Sequence, residues 1–164
     1  MVKISIPNDS WAYEDFISDS EQKELIDWMN SCFHMTKGNG QGRHFCDQMQ
    51  KSNNLPKVYT DVKNRLIEIE NLKEEDPTFG DFISFNFEGA SIHKHKDRNT
   101  GDKIHTRYNL LLSVPEFGGQ PVYEGQVISI KEKMIWRCEA GKYFHESLPV
   151  IGKKPRLNIS FGFS

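Results

Sequence analysis

The chain has no apolar run long enough to cross a bilayer, no surplus of charge of either sign and only three cysteines. Each absence excludes something. A helical span needs about 20 mostly apolar residues, and no segment supplies them. The 21 basic and 23 acidic residues leave a formal net charge of -2, which gives no electrostatic reason to expect a nucleic acid or an anionic membrane as partner. Cys32, Cys46 and Cys138 form no disulfide ladder, because one would be left over. The opening Met1-Val2-Lys3-Ile4-Ser5-Ile6-Pro7 lacks the apolar core of a signal peptide, so a cytoplasmic location is expected. No internal repeat or low-complexity tract is visible. A chain of 164 residues can bury a core without covalent staples, and one domain over residues 1–164 is expected.

Two kinds of periodicity divide the sequence. Ser18 followed by Glu21 fits a capping box, and Leu25, Ile26, Met29 and Phe33 then recur at helical spacing. A second helix is predicted from about Pro56 through Val58, Val62, Leu66, Ile69 and Leu72. Between them Lys37-Gly38-Asn39-Gly40-Gln41-Gly42-Arg43 reads as a surface loop, too rich in glycine for regular structure. From Gly80 the pattern becomes alternation. Ile83, Phe85 and Phe87 share one face of a strand, as do Tyr108, Leu110, Leu112 and Val114 of another and Leu157, Ile159, Phe161 and Phe163 of the last. Shorter strands are predicted at 120–123, 126–130, 134–138 and 142–145. The expected architecture is mostly β with flanking helices: a helical part over about 1–79 and a jelly-roll core over about 80–164.

Chemistry concentrates in that second half. His95-Lys96-Asp97 places an imidazole and a carboxylate two residues apart, and on an extended strand such residues share a side. His145 stands 48 residues after Asp97, and Arg156 follows 11 residues later. Two imidazoles and one carboxylate suit the facial triad that holds non-haem Fe(II) with coordination positions left open. An H-x-D motif alone is common by chance, so its surroundings matter. Gly89-Ala90-Ser91-Ile92-His93-Lys94-His95-Lys96-Asp97, Arg107-Tyr108-Asn109-Leu110-Leu111-Leu112-Ser113, Gly118-Gly119, His145 and Arg156-Leu157-Asn158-Ile159-Ser160-Phe161-Gly162-Phe163 occur in that order. The series resembles the 2-oxoglutarate- and Fe(II)-dependent oxygenase family over roughly residues 80 to 164, and most of all its prolyl-hydroxylase-type branch.

The resemblance implies a double-stranded β-helix (jelly roll) with two N-terminal support helices. It implies a dioxygenase using Fe(II), 2-oxoglutarate and O2, hydroxylating a small-molecule or peptide substrate and releasing succinate and CO2. His95, Asp97 and His145 would hold the metal, and Arg156 would take the distal carboxylate of 2-oxoglutarate, for which a guanidinium fork is well suited. Asn86 lies nine residues before His95, where several family members carry a Tyr that hydrogen-bonds the cosubstrate. Asn86, Asn109 and Ser160 are therefore candidate cosubstrate contacts. Gly118-Gly119 matches the family's double glycine in a tight turn. The nucleic-acid demethylase branch normally has a second Arg six residues after the first on its last strand, where this chain has Gly162.

Substrate contacts are expected from Arg107, Arg98 and Arg43. The segments Met35 to Asp47 and Arg98 to His105 read as mobile loops over the iron site, and their mixed charge suits a polar substrate. Peptidyl proline or an amino-acid-like molecule is expected on the resemblance alone. Two other readings stay open. His93-x-His95 resembles the start of a cupin site, although Lys96 to Thr100 supplies no Glu; a cupin-like metalloenzyme would work without 2-oxoglutarate. A catalytically silent jelly-roll module binding a metabolite or sugar would keep the fold and release no succinate. Cys32-x-His34 and His44-x-Cys46 lack the usual gap between paired zinc ligands.

Overall fold

In the computed structural model, which describes residues 1–164, strands β1 (Val2–Ile6) and β2 (Ser10–Glu14) precede helix α1 (Asp19–Ser31). Short strands β3 (Lys37–Gly38) and β4 (Arg43–Cys46) lead to helix α2 (Lys57–Glu70). Next come β5 (Phe82–Asn86), β6 (Ile92–His95), β7 (Thr106–Ser113), β8 (Phe117–Gly118), β9 (Pro121–Tyr123) and β10 (Gln126–Val127). The chain closes with β11 (Ile135–Cys138), β12 (His145–Ser147), β13 (Val150–Ile151) and β14 (Arg156–Phe163). The protein is thus mostly β-sheet with two helices.

Local chemistry accounts for both helices. The Ser18 hydroxyl accepts from the Glu21 amide at 3.1 Å, and the Glu21 carboxylate accepts from the Ser18 amide at 2.9 Å. A reciprocal cap of this kind is worth about 1 kcal/mol. Pro56, extended at the N-cap, stands one residue before α2, and Asn71 ends that helix in the left-handed region that Asn tolerates.

An eight-stranded antiparallel sheet runs β1-β2-β11-β7-β14-β5-β4-β3, and a four-stranded sheet runs β10-β9-β12-β6. One face of the large sheet carries Ile83, Phe85, Tyr108, Leu110, Leu112, Leu157, Ile159, Phe161 and Phe163. These pack on Leu25 and Met29 of α1 and on Val58, Tyr59, Val62 and Leu66 of α2, in a core of 21 buried residues. Each such side chain, fully buried, contributes roughly 1.5–3 kcal/mol. A smaller core of Ala12, Leu111, Tyr123, Ile128, Met134, Trp136, Cys138 and Ala140 lies on the opposite face, towards the second sheet. Lys63 reaches Asp81 at 2.7 Å beneath α2, and Tyr59 also hydrogen-bonds that carboxylate.

Three sequence expectations need correction. The part over 1–79 is not purely helical, because it adds four strands to the large sheet. β1 and β2 form a hairpin whose turn residues Asn8 and Asp9 take φ of 64° and 54°, which short polar side chains accommodate. The glycine-rich segment is a hairpin as well, with Lys37 opposite Phe45 and Gly38 opposite His44. Gly40 and Gly42, at φ of 76° and 92°, make its turn, and β4 is then held along β5 from Arg43↔Asn86 to Cys46↔Ile83. Arg98 to His105 is tied down too: Asn99 donates to the Gly141 carbonyl at 3.1 Å and accepts from the His105 amide at 2.9 Å.

Candidate metal centre

β6 and β12 are neighbours in the four-stranded sheet and pair in a register that sets His145 directly opposite His95. Their rings stand 4.3 Å apart between centroids. Asp97 lies two residues beyond the end of β6, with its amide bound to the Ala140 carbonyl at 2.8 Å. One ligand atom each from His95, Asp97 and His145 fall within 4.8 Å of one another.

The histidines are oriented by their own strands. His95 Nδ1 is 2.7 Å from the His93 carbonyl and His145 Nδ1 is 3.1 Å from the Tyr143 carbonyl. A carbonyl can only accept, so Nδ1 carries the proton and the Nε2 lone pair is free for a metal. Both Nε2 atoms face the same Asp97 oxygen, at 3.3 and 3.5 Å. The other Asp97 oxygen is 3.4 Å from His105 Nε2 and 3.3 Å from Arg107 Nε. One carboxylate oxygen thus faces the histidine pair, and the second is anchored from behind.

Burial opposes ionisation of Asp97, but the three imidazoles close to it, His105, His145 and His95, outweigh that effect and hold the carboxyl well below the usual range. The contact with Asp97 raises His95 above the ordinary histidine value, against the effect of burial. An ionised carboxylate between two correctly oriented imidazoles is a donor set that fits a divalent cation such as Fe(II). His93, exposed and outside the triad, contributes its backbone carbonyl instead.

The triad opens on a cavity of about 880 Å³ between the two sheets. Arg156 lies on the opposite wall, on β14, and its side chain is buried. One Nη donates to the Gly119 carbonyl at 2.8 Å, while Nε has no partner. Burial, and then the neighbouring Arg43 guanidinium, push its pKa down to about 10. Gly119 can present that carbonyl because Gly118 and Gly119 take φ of 71° and 73°. A Cβ at Gly118 would stand 1.9 Å from the Pro149 carbonyl oxygen, which no other residue could tolerate.

Arg43, Asn109 and Arg98 line the cavity, with Arg98 exposed at its mouth. The other three expected residues are buried in the large sheet. Arg107 also lines the cavity, and from a buried position it binds Asp97, Asp76, the Gly80 carbonyl and Ser160. Ser160 is fully buried, accepts from Arg107 at 3.3 Å and does not reach the cavity. Asn86 lies between Arg43 and Arg156 in the sheet, accepts from Ser84 at 3.0 Å and is also absent from the wall.

Sequence reading missed His105 and Asp76. Asp76 caps the amides of Thr78, Phe79 and Gly80 at 3.1, 3.0 and 3.2 Å and pairs with Arg107 at 3.3 Å. The available signal was His105-x-Arg107 at the start of a strand, two side chains on one face behind Asp97. Gly162 also has a spatial cause: a Cβ there would meet the Gly80 carbonyl at 2.7 Å and Arg107 at 3.0 Å.

No family model matches this chain, and no curated protein matches it in sequence. Solved structures do. HygX from Streptomyces hygroscopicus, with nickel, 2-oxoglutarate and hygromycin B bound, superposes with a TM-score of 0.72 at 8% identity, over 94% of this chain and 82% of HygX. HygX with nickel and 2-oxoglutarate gives 0.74 at the same coverage. A Pseudomonas putida prolyl-4-hydroxylase gives 0.64 at 15% identity, over 93% and 91% of the two chains. This chain has their fold. The match takes in 93–94% of this chain and so extends well beyond residues 80–164.

Proposed function

We propose that the protein is an Fe(II)- and 2-oxoglutarate-dependent dioxygenase. It hydroxylates a polar substrate, peptidyl proline or an amino-acid-like molecule, with release of succinate and CO2. The observation that carries this reading is the convergence of the His95, Asp97 and His145 ligand atoms within 4.8 Å, across one cavity from a buried arginine with unused donors. The fold shared with HygX, solved with nickel and 2-oxoglutarate bound, supports it. The fold shared with a prolyl-4-hydroxylase supports the hydroxylase branch. The paired sheets are read as a double-stranded β-helix with two N-terminal support helices, and residues 1–164 as one domain.

His95, Asp97 and His145 would hold the iron, which when bound couples oxidative decarboxylation of 2-oxoglutarate to oxygenation of a substrate C–H bond. The chain's own part is positional. The two carbonyl-anchored histidines keep Nε2 aimed at the cavity, while His105 and Arg107 fix the Asp97 carboxylate from behind. Arg156 offers Nε and its second Nη to the distal carboxylate, an interaction strengthened by exclusion of water. The walls between the sheets keep solvent from the reacting groups.

Mass-spectrometric assay of succinate formation tests the reading. Turnover should require both Fe(II) and 2-oxoglutarate, and Asp97→Ala should abolish it together with Mn(II) binding. His93→Ala should retain metal affinity within about threefold, far less than the loss expected even for a supporting contact. No succinate above the metal-only blank would favour a silent binding module. Equal metal loss in the Asp97 and His93 variants would favour the cupin-like arrangement.

A further inference from the structure

The hairpin of β3 and β4 carries a second arginine to the cavity. Arg43 pairs with Asn86 on one side of β5, and Asn86 pairs with Arg156 on the other. Opposed residues of antiparallel strands project to the same face. Two guanidinium groups therefore share one row of the wall, with backbones about 10 Å apart. Both line the cavity, and neither takes part in a salt bridge. The close side-chain contact of Arg43 is stacking on the Phe45 ring, 4.8 Å from its centroid. Arg43 Nε, Arg156 Nε and Asn158 Nδ2 are buried donors on the cavity wall without an acceptor. Buried donors are normally satisfied, so this part of the site is built for a ligand rich in acceptors.

Charge decides how many anionic groups it takes. Arg107 is balanced by Asp76. On the oxygenase reading, a divalent metal on Asp97 keeps one positive charge and Arg156 adds another. The two carboxylates of 2-oxoglutarate neutralise both. Arg43 remains a cation with no counter-charge, in a place where desolvation makes that costly. Asp47 and Glu146 also border the cavity, but neither pairs with Arg43. Lys96 and Arg98 at the rim add to the positive side.

We propose that Arg43 receives an acidic group of the substrate itself, so that the substrate is an amino-acid-like small molecule carrying a free carboxylate or phosphate. This rests on the oxygenase reading and narrows it, since an internal peptidyl proline offers no such group. Arg43 is then a specificity-determining residue, and Arg156 alone serves the cosubstrate.

The test is binding to the loaded protein. Inorganic phosphate, N-acetylglycine and the neutral N-acetylglycinamide are titrated by calorimetry and ligand-observed NMR into protein saturated with Mn(II) and 2-oxoglutarate. Wild type should bind at least one of the two anions, and which one identifies the acidic group; the amide should not bind. Arg43→Ala and Arg43→Gln should weaken the anion by at least about tenfold, the scale of a charge-assisted hydrogen bond, and Arg43→Lys should restore part of it. All three variants should bind 2-oxoglutarate within about threefold of wild type, whereas Arg156→Ala should not. Failure of both anions to bind wild type, equal binding of the amide, or loss of 2-oxoglutarate in Arg43→Gln as large as in Arg156→Ala would each overturn the assignment. Failure of wild type to take up Mn(II) or 2-oxoglutarate at all would instead overturn the oxygenase reading beneath it.

Discussion

The two faces of the large sheet are made from the same strands by opposite rules. On β14 the residues Leu157, Ile159, Phe161 and Phe163 join the helix-covered core, while Arg156, Asn158 and Ser160 alternate with them and point to the other side. On β5, Ile83 and Phe85 alternate with Ser84 and Asn86. Both sets are buried, so burial alone does not separate them; satisfaction does. Polar groups at the helix-covered face find partners, as Tyr59 and Lys63 do in Asp81, whereas the cavity wall leaves Arg43, Arg156 and Asn158 with unused donors. One face stabilises the fold, and the other holds binding capacity at some cost to stability.

Substitutions can break this comparison. Phe161, fully buried against Tyr59 at 5.6 Å between ring centroids, should show the largest effect. Phe161→Ala should lower unfolding free energy by about 3–5 kcal/mol in a denaturant titration, with Mn(II) affinity of the folded fraction unchanged. A loss of metal affinity would mean that the two faces are not separable. Arg156→Ala should do the reverse. It removes a charge-assisted contact and so should weaken 2-oxoglutarate binding about 10- to 100-fold by calorimetry. Having no carboxylate partner, it should cost at most about 1 kcal/mol of stability, the worth of its one bond to Gly119.

A smaller effect sharpens the role of the backing residues. His105→Leu removes the contact to the rear oxygen of Asp97 and should reduce metal affinity about tenfold, as removal of groups supporting a ligand does. Unchanged affinity would leave Arg107 as the sole support. The smallest expected effect lies on the helical side. Glu21 caps α1 and binds Arg65 at 2.7 Å, and the Arg65 hydrogen bond holds its carboxyl below the ordinary value of 4.5, against burial. A depressed carboxyl contributes stability above its unfolded value and loses it as pH falls through the folded one. Glu21→Gln should therefore cost about 1 kcal/mol at pH 7, and the difference from wild type should shrink below about pH 4. A pH-independent difference would assign the loss to the cap alone.

The same contrast explains what could be read from sequence. The capping box, the helical spacing of Leu25 and Met29, and the alternation of β5, β7 and β14 are local patterns with one dominant apolar face. They were legible for that reason. The hairpins of β1–β2 and β3–β4 were not, because β1, β3 and β4 are short or largely exposed and glycine and short polar residues dominate the turns. Their place in the sheet depends on partners far along the chain: Trp136 opposite Ala12, and Asn86 opposite Arg43. At the candidate site, spacing pointed to residues that could serve as ligands. Which arginines are engaged was hidden, since Arg107 and Arg156 look alike until Asp76 is known to meet the first and no carboxylate to meet the second.

Asp76 has one more consequence. Its carboxylate gathers the amides of Thr78, Phe79 and Gly80 and, through Arg107, leans on the rear oxygen of Asp97. A local opening of this turn would release the guanidinium and with it the restraint on the metal-facing carboxylate. Opening and metal loading are thereby thermodynamically linked, and each should suppress the other. Hydrogen–deuterium exchange at the Phe79 amide should slow when Mn(II) is added, a readout of occupancy from a lip of the cavity that never touches the ion.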